Sequence, residues 1–77
     1  MVYNLKNGNG FEREVKTIRS LIPTDRYITI DDLEKSLGIG RRSLILILSI
    51  IAGKGELEYK DPDLGYLDRF RRRNGHQ

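Results

Sequence analysis

Arg41, Arg42 and Ser43 stand directly after Gly38-Ile39-Gly40. Two guanidiniums and a hydroxyl at the opening of a helix are hydrogen-bond donors aimed at anions. A guanidinium pairs bidentately with phosphate or with a guanine edge. The free amides of a helix N-terminus, opening here at Gly40, add a further anion site. A second basic run, Arg71-Arg72-Arg73, lies near the end of the sequence. It has the composition of a contact to a nucleic-acid backbone or minor groove, and equally that of a solubilising tail.

Other chemistries find few residues. The sequence has no Cys and a single His, at position 76. Disulfides, thiolate catalysis and a His-based metal site are therefore not expected. The carboxylates are spread along solvated faces, and Asp31-Asp32 is explained by its place at a helix start. Gly53-Lys54-Gly55 reads as a turn, without the further Gly, Lys and Ser/Thr of nucleotide loops. No set of nucleophile, base or metal ligands converges, so we expect no enzyme, no cofactor and no small-molecule substrate.

Seventy-seven residues allow one domain, and a chain of that size buries only about 60% of its unfolded surface. Hydrophobic residues at 38% and charged residues at 32% indicate a globular chain. The net charge of +3 favours an acidic partner, most simply nucleic acid. The longest apolar run, Leu44 to Ala52, is interrupted by Ser49 and is far shorter than the roughly 20 residues of a membrane helix. No basic segment followed by an apolar one opens the chain. A cytoplasmic protein without a membrane partner is the expectation.

The elements that position the basic residues follow from spacing. Val2-Tyr3-Asn4-Leu5 suits a short strand or a pad, and Asn7-Gly8-Asn9-Gly10 has turn chemistry. The domain is placed at residues 11–70, after an N-terminal segment 1–10. Phe11, Val15, Ile18 and Ile22 make one helical face over Phe11 to Ile22, with Glu12 and Glu14 in its first turn and Pro23 ending it. Tyr27-Ile28-Thr29 suits a brief strand. Thr29-Ile30-Asp31-Asp32 has the capping signature of a second helix, which carries Leu33 and Leu37 and stops at Gly38.

A third helix is expected from about Arg41 to Ala52. Its run Leu44 to Ile51 is too apolar for periodicity to separate helix from strand. Length decides, because no breaker occurs before Gly53. Glu56–Lys60 and Tyr66–Phe70 alternate as two strands of a hairpin around the turn-rich Asp61-Pro62-Asp63-Leu64-Gly65. Tyr59, Tyr66 and Phe70 are expected to pack. Residues 71–77 are expected to form a basic, flexible tail.

This order, with the segment Thr29 through Leu48, resembles the winged helix-turn-helix family of DNA-binding transcription regulators. In that family the second helix carries a Leu pair and the turn reads Leu-Gly-Ile/Val-Ser. The third helix enters the major groove. Leu33, Leu37, Gly38 and Ile39 fit the turn, and Leu44, Leu48 and Ile51 fit the inward positions of the third helix. The resemblance spans about residues 11–70 and extends to the small stand-alone regulators of archaeal viruses and plasmids. It implies an α+β fold of three helices followed by a two-stranded β-hairpin wing. It also implies binding of double-stranded DNA through Gly40, Arg41, Arg42 and Ser43, with Arg71, Arg72 and Arg73 on flanking backbone.

The sequence departs from the family in three places. Gly40 stands where Ser or Thr usually caps. The wing tip Asp61-Pro62-Asp63 is acidic. The third helix places Ile45, Leu46, Ile47 and Ile50 where polar residues are usual. An exposed apolar face of that kind marks an interface. Its cover is the Val2–Leu5 segment, a second chain in a homodimer, or thymine methyls in the groove. The alternative function is a winged-helix protein-interaction module that uses the apolar face of helix 3.

Overall fold

The computed structural model describes the backbone of residues 3–74 and the side chains of residues 11–74. Three helices precede an antiparallel strand pair, an α+β layout. Helix α1 spans Tyr3–Leu21, α2 Ile30–Leu37 and α3 Arg41–Gly53. Strand β1 spans Leu57–Tyr59 and β2 Phe70–Arg72, with a short 3-10 turn at Gly65–Leu67 between them.

Helix α1 begins earlier than its apolar spacing predicts. The expected turn at Asn7–Gly10 is helical backbone, and so is the expected strand from Tyr3. Glycine lowers helix stability by about 1 kcal/mol but, unlike proline, keeps its N–H donor in the ladder. Glu12 and Glu14 consequently lie in the helix interior rather than its first turn. The proposed covering of α3 by Val2–Leu5 side chains lies outside the described residues. Further along, Val15, Ile18 and Ile22 are buried and Phe11 packs on the same core.

The start and stop of α2 follow from local chemistry. The Thr29 hydroxyl accepts the Asp32 N–H at 3.2 Å, and the Asp32 carboxylate accepts the Thr29 N–H at 3.0 Å. This reciprocal box satisfies two donors that a helix end leaves free. Gly38 closes the helix at φ 68°, and its N–H donates to the Glu34 carbonyl at 2.8 Å. An L side chain is strained there. The three-residue turn Gly38-Ile39-Gly40 then bends the chain by 119° into α3.

Helix α3 packs on both α1 and α2. That double contact explains its width of apolar sequence. Leu44, Ile47, Leu48 and Ile51 are buried, and Ile45 and Ile50 are half-covered by the same core. Ile47 is therefore interior, where an exposed position was open to it in the sequence. Among the described residues no polar or charged side chain is buried. No single described helix is long and apolar enough to cross a membrane.

The hairpin differs from expectation at its second strand. Pairing runs Leu57 to Arg72, Glu58 to Arg71 and Tyr59 to Phe70, and closes where Lys60 N–H donates to the Arg69 carbonyl at 3.0 Å. Tyr66 and Leu67 are not strand. They lie in the 3-10 turn that follows an Asp61-anchored turn, in which the Asp61 carboxylate accepts the Asp63 N–H at 3.0 Å. The register has a simple cause. It puts Phe70, fully buried, opposite Tyr59 on the core face, and leaves Leu67 69% exposed. Ile28 joins the far edge: it exchanges backbone hydrogen bonds with Phe70 at 2.8 and 2.9 Å.

The expected flexible tail at 71–77 is overturned for its first residues. Arg71 and Arg72 belong to β2, and Arg73 N–H donates to the Glu56 carbonyl at 2.7 Å. The ladder continues past Phe70 because β1 and the α1 end supply acceptors there; the Arg72 N–H donates to the Pro23 carbonyl at 2.8 Å. Residues 75–77, including His76, lie outside the described residues.

Candidate functional site

The turn after α2 brings Gly40, Arg41, Arg42 and Ser43 together at the start of α3, as the sequence leads one to expect. All four are exposed. Gly40 is the N-cap, with extended backbone and no side-chain cap. The first intrahelical bond runs from Leu44 N–H to the Gly40 carbonyl at 3.1 Å. The amides of Arg41, Arg42 and Ser43 come before that bond, among the donors that a helix start leaves without a partner inside the helix.

The two arginines are not equivalent. Arg41 folds back on α2, where its terminal nitrogen pairs with Asp31 and lies 3.3 Å from Glu34 Oε1. The hydrogen bond and charge of Glu34, with Asp31 adding to them, raise the Arg41 pKa above the ordinary arginine value. Its charge is thus matched by two carboxylates of the preceding helix. Arg42 makes no ion pair or side-chain hydrogen bond with any described residue. It is the open cation of this turn. Sequence spacing alone gives no sign of the difference, because the partner carboxylates sit across the bend.

Beyond its first turn, the outer face of α3 carries Leu46, 54% exposed, and Ser49, whose hydroxyl donates to the Leu46 carbonyl at 2.7 Å. Beside Arg41 lies a shallow cleft lined by Thr29, Asp31, Leu67 and Asp68. The loop between β1 and β2 therefore approaches the start of α3 with an apolar and an acidic residue. Leu64, 52% exposed, belongs to the same loop.

Arg71, Arg72 and Arg73 are elsewhere. They sit at the base of the hairpin, Arg72 and Arg73 against the chain that follows α1 and α3, and do not join Arg41–Ser43. Arg71 Nε donates to Glu58 Oε1 at 2.7 Å, and its guanidinium lies 4.7 Å from the centre of the Tyr27 ring. The hydrogen bond to Glu58 raises the Arg71 pKa. Lys60 approaches the same ring at 5.4 Å. Arg72 Nε donates to the Ile22 carbonyl at 3.0 Å, capping the α1 end, where the helix dipole favours a cation. Arg73 Nε donates to the Gly55 carbonyl at 3.1 Å.

Comparison with protein-family models, curated proteins and solved structures gives no match to this chain. Function therefore rests on the site itself. Exposed donors at a helix start suit recognition of an anion. Among the described residues no group of three His, Cys, Asp or Glu is placed to hold a metal ion.

Proposed function

We propose that the chain is a winged helix-turn-helix protein that binds double-stranded DNA, with the first turn of α3 in the major groove. One observation carries this reading. A three-residue turn bends α2 into α3 by 119° and leaves Arg42, Ser43 and an uncapped helix start at the exposed corner. Helices crossing at about 90–120° over such a turn are the arrangement in which a second helix enters the groove. Arg42 takes a guanine edge or a phosphate, Ser43 donates to phosphate, and the free amides add a backbone contact. Arg41 acts differently from its neighbour: it ties α3 to α2.

The bridge of Ile28 to Phe70 supports the winged-helix reading, since it adds a third short stretch to the hairpin edge. A transcription regulator is the role we infer from such a corner. The test is a fluorescence-anisotropy titration on the duplex upstream of the protein's own gene, with excess non-specific competitor. Saturable binding that survives the competitor is the expected result. Absence of binding even without competitor overturns the proposal.

A second reading has its own observation. Leu64 and Leu67 are more than half exposed beside Asp61, Asp63 and Asp68. An apolar and acidic wing is suited to a protein surface rather than to phosphate. On this reading the wing and Leu46 of α3 contact a partner protein or a second copy of the chain.

A further inference from the structure

We propose that the cleft between the α1 end and the hairpin base is a phosphate-binding site. It encloses about 400 Å³ and is lined by Arg19, Arg72, Arg73, Glu56, Thr24 and Asn74. It is separate from the corner described above. It adjoins the C-terminal end of α3, about 18 Å along the helix from Arg41 at a rise of 1.5 Å per residue.

The arginines are arranged in a common way. Arg19 Nε donates to Glu56 Oε1 at 2.7 Å, Arg72 Nε to the Ile22 carbonyl and Arg73 Nε to the Gly55 carbonyl. Each guanidinium is anchored at its inner nitrogen. The hydrogen bonds formed with described residues leave the two terminal amino groups of each to other acceptors. A guanidinium has five N–H donors in a fixed fork, and four of them belong to those terminal groups.

The same three bonds dispose of the features that would repel an anion. Glu56 is neutralised by Arg19. The carbonyl at the negative end of α1 is taken by Arg72, and the Gly55 carbonyl by Arg73. What remains is an excess of positive charge, three guanidiniums against one carboxylate, with the Thr24 hydroxyl and the Asn74 amide as neutral donors. Anchored guanidiniums lose little freedom when a ligand arrives, and planar forks match the oxygens of phosphate. The partner is therefore a phosphate group, carried either by a small ligand or by a nucleic-acid backbone.

The test is an NMR titration of the full chain with inorganic phosphate at constant ionic strength, with chloride as the reference. Saturable shifts of the Thr24, Gly55, Arg73 and Asn74 amides are expected, beyond those chloride causes. Arg73→Gln weakens binding roughly tenfold, the loss of one charge-assisted hydrogen bond. Asn74→Asp, an exposed substitution that removes no anchor, also weakens binding by its added negative charge. Arg42→Ala leaves the titration unchanged, so failure of the DNA reading does not touch this one. Shifts equal to those of chloride overturn the site, as does undiminished binding in Asn74→Asp. A duplex without terminal phosphates, added to Arg42→Ala, separates the sources. Movement of the same amides assigns a backbone phosphate; phosphate binding without that movement assigns a small phosphorylated ligand.

Discussion

Arg41 reaches back over the turn to Glu34, its guanidinium 3.3 Å from the carboxylate oxygen while also paired with Asp31. The contact crosses the 119° bend between α2 and α3. It links the orientation of α3 to the charge of α2. An exposed pair of this kind contributes little stability on its own. Its larger effect is electrostatic, because it places two carboxylates next to the donors of the corner.

Replacing those carboxylates raises duplex affinity. In Asp31→Asn/Glu34→Gln two negative charges go and Arg41 becomes available to phosphate. The salt dependence of binding steepens by about one phosphate contact. Anisotropy titrations over a series of salt concentrations measure both changes, and an unaltered slope argues against a duplex at this corner.

The two arginines separate under substitution. Arg42→Ala costs about 1–3 kcal/mol of duplex binding. Arg41→Ala costs less, since its charge is already matched within the protein. Equal losses in parallel titrations contradict the assignment of Arg42 as the leading contact.

Phe70→Ala removes the side chain that closes the core beneath the hairpin, where Phe70 is fully buried. A loss of about 3–5 kcal/mol is expected. That approaches the entire stability of a small domain. Urea unfolding followed by circular dichroism measures it, and Phe70→Leu should retain most of the fold.

The wing reading is tested by Leu64→Ser/Leu67→Ser. If the wing is a self-association surface, light scattering of concentrated wild-type protein shows a dimer that the double variant loses. Monomer in both removes the second-copy form of that reading and leaves a different partner protein.

What was legible in the sequence was short in range. The Thr29–Asp32 box, the Leu33 and Leu37 stripe and the Gly38 stop depend on contacts within a few residues, and all are found. The α3 start at Arg41 follows from the Gly38-Ile39-Gly40 turn. Longer-range features were hidden. The partners of Arg41 depend on the angle of the bend. The position of β2 depends on which aromatic ring fills the core, and Phe70 does so where Tyr66–Leu67 alternated equally well. Arg72 and Arg73 gained anchors only because that strand runs on to meet the α1 end.

The exchanged bonds of Ile28 and Phe70 also tie distant parts of the chain together. Helices α2 and α3 meet across a three-residue turn, a contact near in sequence and of low entropic cost, whereas α1 meets α3 over a longer stretch of chain. The bridge joins a residue between the first two helices to one beyond the third, and the Arg72 clasp on Ile22 spans 50 positions. The hairpin seals a core whose aromatic plug, Phe70, comes from beyond the third helix. Opening of that seal frees both amides at once. Ile28 and Phe70 should therefore lose their protection against solvent deuterium together, as one cooperative unit built from segments distant in sequence.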